Sequence, residues 1–253
     1  MTEVRTIEEA MQTKLTPEDA PRVYALTEVP PEVSSEVCLA GKFGYRFVKR
    51  AFDIVSSGLG MLILSPIIAG TAIAVKLTSP GPIIFKQCRV GRGKTLFNIY
   101  KFRTMRIDTP DLPSHMIDAN EWMTPIGATL RKLSLDELPQ MWNIFKGDMS
   151  VVGPRPERPE IAKEYEESIP EFAYRLKVKA GLTGYAQIYG KYNTTAYDKL
   201  KLDLMYIESY SILEDLKLIL ATFKIVFTKE STEGLEEGQT ISLNAKEEEK
   251  KDV

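Results

Sequence analysis

From Ile54 to Val75 the chain carries no charged side chain, and no other stretch limits the fold so sharply. A run of that length can cross a bilayer as one helix. Two features argue against a simple crossing. The first is Ser65-Pro66 at its middle. A proline inside a helix removes one hydrogen bond and sets its ring against the carbonyl four residues back, at a cost of about 3 kcal/mol or a kink. At roughly 1.5 Å per residue, Ile54–Ser65 and Pro66–Leu77 each make an arm of about 18 Å, against a hydrocarbon half-thickness of about 15 Å. Each arm therefore reaches the midplane and little further. The Ser65 hydroxyl lies beside the freed carbonyls, which helps a kink persist in lipid.

The second feature is the flanks. Lys42, Arg46, Lys49 and Arg50 precede the run, and Lys76, Lys86, Arg89, Arg92 and Lys94 follow it. The positive-inside rule puts both groups on the cytosolic side, whereas a straight span would leave one of them outside. The pattern favours a re-entrant helix-break-helix that enters and leaves through one leaflet, with the break at Ser65 and Pro66. A true span and a buried soluble helix remain as alternatives on this pattern alone.

The net charge of -2 conceals an uneven distribution. Between Gly41 and Arg106 there are twelve Lys or Arg against one acid, Asp53. A basic block beside an apolar run suits an anionic lipid surface, a phosphorylated ligand, or both. Cys38 and Cys88 are the only cysteines and form no CxxC, so neither a disulfide framework nor a zinc site is indicated, which fits a reducing cytosol. The acidic, apolar-poor N-terminus is not a secretory signal peptide. Four regions follow: a flexible acidic lead-in over 1–40, the membrane unit over 41–80, a cytosolic domain over 81–228, and a disordered charged tail over 229–253.

Within the cytosolic domain, PIIFKQCRV and TLFNIYKFRTM, separated by GRGK, read as a β-hairpin. GRGK lacks the spacing of a phosphate loop. Helices are expected through IGATLRKL, near 136–146, near 160–175 and over 196–227, with KAGLTGYAQIYGK as a glycine-punctuated loop. The predicted class is α+β and mainly helical: a re-entrant pair, a small hairpin and amphipathic interfacial helices. His115, the only histidine, lies in a polar irregular stretch and is expected at the surface.

The stretch LSLDELPQMWNIFKGDMSVVGPRP holds the chemistry. SLDE can be read as a capping box, with Ser134 as N-cap and Glu137 reaching back. Pro139 would then fall at the fifth helical position, where it is costly. Starting the helix at Asp136 places Pro139 in the first turn, where proline is tolerated. Two adjacent carboxylates then stand at a helix N-terminus, a place suited to phosphate. One can attack phosphorus while the other holds a divalent cation.

The order KRAFD, LILSPI, FKQCRVGRGKTLFNIYKFRTM, LSLDELPQMWNIFKGDMSVVGPRP and GLTGYAQI closely resembles the bacterial sugar transferase family, the monotopic phosphoglycosyl transferases, from about Tyr45 to Phe227. The resemblance implies transfer of a sugar 1-phosphate from a UDP-sugar to undecaprenyl phosphate at the inner face of the bacterial cytoplasmic membrane, priming polysaccharide, capsule or glycoconjugate assembly. It implies a re-entrant helix broken at Ser65-Pro66, inner-leaflet phospholipids as partners, and residues 81–228 as the catalytic domain. Self-association is left open, and no nucleic acid is called for. Relatives often carry N-terminal transmembrane helices that residues 1–44 leave no room for, so the small catalytic form is expected.

Carried over residue by residue, Asp136 becomes the nucleophile and Glu137 the Mg²⁺ ligand. Arg155, held between the prolines of GPRP, suits bidentate phosphate contact, against a surface salt bridge as the plainer role. Lys101 and Arg103 alternate with aromatic neighbours on a strand, so they bind phosphate or headgroups, or merely form a solvated face. Arg131 is a further anion-binding candidate, and Gln187 a candidate for nucleotide or sugar contact. Asp203 and Tyr206 match a D-x-x-Y pattern for which a structural role is at least as good. Tyr189 and Lys191 depart from the family's Asn and Arg, so contacts assigned to those side chains do not carry over. The implied mechanism is ping-pong through a phosphosugar on Asp136. A membrane-anchored scaffold and a metal-dependent hydrolase compete with it; only a transferase would couple UMP release to a sugar-linked lipid.

Overall fold

The computed structural model describes residues 43–110, 119–190 and 194–227. The acidic lead-in, His115, Lys191 and the charged tail lie outside the described residues.

Helix α1 (Phe43–Ile63) and helix α2 (Ser65–Thr78) meet at the expected break, bent by 63°. The Ser65 hydroxyl donates to the Leu62 carbonyl at 2.8 Å, satisfying the acceptor that Pro66 leaves without its amide. Among the described residues no single helix is long and apolar enough to cross a membrane.

The faces of α1 are inverted relative to a water-soluble helix. Lys49, Asp53 and Ser57, four residues apart and so on one face, are buried. Lys49 pairs with Asp215 at 2.6 Å, while Asp53 accepts from the Ser150 hydroxyl and the Val151 amide at 2.9 and 3.0 Å. The apolar side chains point outward: Leu62 and Ile63 are 71% exposed, and Leu77 at the end of α2 is 80% exposed.

Strands β1 (Ile84–Val90) and β2 (Leu96–Phe102) form the predicted antiparallel hairpin, closed by a 3₁₀ turn at Arg92–Lys94. The short helices α3 (Ala119–Trp122) and α4 (Gly127–Lys132) follow. A 3₁₀ turn at Leu135–Glu137 leads into α5 (Gln140–Lys146). Gly147, at φ 106°, ends α5 in the left-handed region, where glycine is unstrained.

Four expectations need correction. Helix α5 starts at Gln140 rather than Asp136, because Pro139 cannot donate and Leu138 bonds three residues back to Leu135. The helix expected near 160–175 is α6 (Pro159–Ser168), cut ahead of Pro170 and continued as a 3₁₀ segment over Pro170–Lys177. KAGLTGYAQIYGK is not simply a loop: it holds strand β4 (Gly181–Thr183), parallel to β3 (Ser150–Val152), and helix α7 (Tyr185–Tyr189). A three-residue strand has no readable period of its own; its distant partner, with Ser150 beside Gly181, defines it. Gly181 lies so close to the Gly153 backbone that any Cβ there would collide with it. The predicted 196–227 helix is two, α8 (Ala196–Glu208) and α9 (Ile212–Phe227).

Three apolar clusters join these elements. One packs Val152 and Val178 against Tyr206, Ile207 and Tyr210 of α8 and its exit, and Leu218 of α9. A second packs Phe97 and Ile99 of the hairpin on Ile144, Met149 and Ala180. The third sets Val75 of α2 against Phe102 and Leu130. Together they bring the hairpin, the Asp136-Glu137 turn and the GPRP loop to one place.

Candidate active site

The site is assembled on the 3₁₀ turn that Pro139 imposes. Ser134 enters it with φ 54° and makes no side-chain cap, so the capping-box reading does not hold. The turn gives Asp136 and Glu137 different surroundings.

Glu137 is neutralised twice. Lys101, from β2, donates to its Oε1 at 2.7 Å. Arg155, from the GPRP loop, donates to the same oxygen at 2.6 Å and approaches Oε2 at 3.5 Å. Burial opposes the Glu137 charge, but Arg155 and then Lys101 outweigh it and hold the carboxyl well below the usual carboxylate range. The same charge raises Arg155 above the ordinary guanidinium value. Lys101 falls below the ordinary ammonium value, through burial first and then repulsion from Arg155.

Asp136 is 8% exposed, and its carboxyl moves the other way. Burial raises it, the Glu137 charge adds to the rise, and Lys101, Arg131 and Arg155 act against it. A partly desolvated carboxylate beside three cations keeps its lone pairs available and faces groups able to receive an anion.

The neighbouring elements explain this placement. Asn143 of α5 is fully buried; it accepts from the Tyr100 amide at 3.0 Å and donates to the Asn98 carbonyl at 2.7 Å. These bonds fix the register of β2 against α5, and so place Lys101 over the turn. The GPRP loop is anchored by backbone: Gly153 donates to Thr183, Gly181 donates to Pro154, and Val90 donates to Glu157. Arg89 donates to the Pro156 carbonyl at 3.1 Å. Arg155 is left with its side chain 45% exposed on a stiff turn.

The other sequence candidates divide. Arg131 bonds the Thr104 hydroxyl at 3.0 Å and acts on Asp136 through space. Arg103 is buried and spends its guanidinium on Ser79 and the Pro80 carbonyl, fastening the α2–β1 joint. Strand alternation put it in step with Lys101, but at its end of the hairpin, where its amide still bonds the Ile83 carbonyl, it meets Ser79 and Pro80 rather than the Glu137 carboxylate. Gln187 donates to the Gly153 carbonyl at 3.3 Å, beside the GPRP loop, with its Oε1 buried and unpaired. Ser65 and Pro66 lie at the helix break. Sequence reasoning missed Asn143 and Arg89. The signal for Asn143 was a polar residue inside the apolar stretch MWNIF; Arg89 carried none that set it apart from the other basic residues.

Among the described residues no three His, Cys, Asp or Glu side chains converge as a metal cage. Mg²⁺ does not require one, since it is commonly held by one or two carboxylates together with substrate phosphates and water. Two adjacent carboxylates beside Lys101, Arg131 and Arg155 fit that pattern.

Comparison with known proteins follows the same lines. Residues 44–229 match the family model described as bacterial sugar transferase. The UDP-N-acetylgalactosamine-undecaprenyl-phosphate N-acetylgalactosaminephosphotransferase of Aeromonas hydrophila is 38% identical over 188 residues, covering 73% of this chain and 44% of the relative. The UDP-glucose:undecaprenyl-phosphate glucose-1-phosphate transferase of Caulobacter vibrioides is 38% identical over 190 residues, 72% of this chain and 71% of the relative. The exopolysaccharide production protein PSS of Rhizobium leguminosarum bv. phaseoli is 40% identical over 185 residues, 69% of this chain and 92% of the relative. The match spans less than half of the Aeromonas protein and most of the Rhizobium one.

Proposed function

The chain belongs to the bacterial sugar transferase family, and from that premise we propose that it transfers a sugar 1-phosphate from a UDP-sugar to undecaprenyl phosphate, releasing UMP. The observation that carries this reading is the unlike pair of carboxylates: Asp136 raised by burial, Glu137 neutralised by Lys101 and Arg155.

Asp136 attacks the sugar-bearing phosphorus of the donor. An Oδ–P bond forms, the bond to the bridging oxygen breaks, and its electron pair leaves with UMP. The phosphosugar stays on Asp136 as an acyl phosphate until undecaprenyl phosphate attacks the same phosphorus and frees the carboxylate. Lys101, Arg131 and Arg155 hold the diphosphate and offset its charge, which is where most of the barrier lowering in phosphoryl transfer arises. Mg²⁺ would be held by Glu137, with Asp136 adjacent, and would supply further neutralisation of the phosphates.

The outward apolar faces of α1 and α2 support a re-entrant seat in the inner leaflet, with the basic flanks toward anionic headgroups. That seat puts the dyad where a soluble donor and a lipid acceptor meet. An intact dyad with its cations in place argues against a scaffold that has lost its chemistry.

The test uses intact-protein mass spectrometry with UDP-glucose and UDP-N-acetylgalactosamine, each without acceptor. The protein should gain one phosphosugar mass, mapped to Asp136 and removed by undecaprenyl phosphate, and Asp136→Asn should gain none. An adduct on Glu137, or turnover by Asp136→Asn, overturns the assignment.

A further inference from the structure

Asp203 and Tyr206 stand one turn apart on α8, both about 1% exposed, and both lead to the loop that bears Arg155. The Tyr206 hydroxyl lies 3.1 Å from the Val152 carbonyl and 2.7 Å from Asp215, so its single proton is shared between them. Asp203 acts through Arg175. The Arg175 guanidinium is 2% exposed, with Nε at 2.8 Å and one terminal nitrogen at 2.7 Å from the same Asp203 oxygen. That terminal nitrogen also donates to the Arg155 carbonyl at 2.8 Å. One helical turn thus grips the loop at both ends, Val152 and Arg155, with Gly153 and Pro154 between.

A buried ion pair is a weak source of net stability, because desolvation cancels much of its Coulomb gain. Its surplus lies in direction. A planar guanidinium bonded along one edge to a carboxylate has the directions of its remaining donors fixed; in Arg175 one terminal nitrogen lies 3.6 Å from Glu157 and the other reaches a backbone carbonyl. That carbonyl belongs to Arg155, the residue whose own guanidinium binds Glu137. We propose that Asp203 and Tyr206, through Arg175 and Val152, are positioning residues that set where Arg155 meets the donor diphosphate. The inference rests on the reading above that Arg155 contacts that diphosphate.

The test is a double-mutant cycle on the full chain in lipid nanodiscs, reading kcat/KM for UDP-glucose and UDP-N-acetylgalactosamine from UMP release with undecaprenyl phosphate. Displacing a group by about 1 Å can cost roughly a hundredfold in rate, so Asp203→Asn and Arg175→Lys should each lower kcat/KM about ten- to a hundredfold. Tyr206→Phe keeps its bulk and should cost about threefold to tenfold, since Val152 retains its packing. In an Arg155→Ala background the same substitutions should cost under about threefold, because residues that act through one group are not additive. Full additivity, with melting temperatures safely above assay temperature, overturns the proposal and makes Asp203 and Tyr206 general supports. Failure of both Asp203→Asn and Tyr206→Phe to fold does the same. Wild-type turnover by Arg155→Ala overturns instead the reading of Arg155 as a donor contact, so the two failures are distinguishable.

Discussion

Asp136 and Glu137 are adjacent in sequence and opposite in electrostatic character, because each answers to different neighbours. Glu137 meets cations from β2 and the GPRP loop, while Asp136 loses water without a matching contact. This has a consequence in pH. In the proposed mechanism Asp136 attacks as the carboxylate, so donor-only UMP release should hold above its raised pKa and fall as pH drops through it. Glu137→Gln removes one of the charges that raise Asp136 and should move this acid limb to lower pH, besides slowing the reaction. Lys101→Met removes an opposing cation and should move it to higher pH. Omitting the acceptor keeps its phosphate out of the titration. An acid limb that neither variant moves would show that Asp136 does not govern it.

At the level of elements, prolines decide where helices begin and end. Pro66 bends α1 from α2, Pro139 defers α5 to Gln140, and Pro170 converts the end of α6 to 3₁₀ geometry. The first of these sets the angle between α1 and α2. Replacing Ser65 and Pro66 by Leu and Ala removes a helix penalty of about 3 kcal/mol, and also the Ser65–Leu62 bond. The pair should straighten toward one continuous helix, and turnover in nanodiscs should fall at least about tenfold, the scale expected when a site is carried out of register with its substrate. Unchanged turnover in the double variant would mean that the 63° bend does not set the site's depth.

For the whole molecule, the inverted α1 is the organising fact. Its polar stripe is consumed by Asp215, Ser150 and Val151, so the first described helix is tied to β3 and to the last helix. Among the described residues nothing covers most of its apolar face, with Phe47 70% and Leu62 71% exposed. If one leaflet covers it, both ends of the α1–α2 pair share a side of the membrane. Single cysteines at Gly44 and Lys86, in a chain lacking Cys38 and Cys88, should both resist impermeant thiol reagents in intact cells and both react after lysis. Labelling of one position from outside would establish a true span.

Much of this was legible from residues in a row. The uncharged run and its Ser-Pro break carry local physics: backbone amides that must bond internally, and a proline that cannot. The hairpin showed in its alternation, and the dyad in two carboxylates ahead of a proline. The roles within the site were not legible in that way. Alternation gave Lys101 and Arg103 the same standing, yet one pairs with Glu137 and the other secures the α2–β1 joint. Strand β4 exists because β3 lies beside it, and Arg155 is aimed by residues from α8 and the segment before β4. Charge, polarity and backbone permission belong to each residue and survive in the sequence. Direction, desolvation and pairing depend on which distant segments arrive together, and only the tertiary structure decided those.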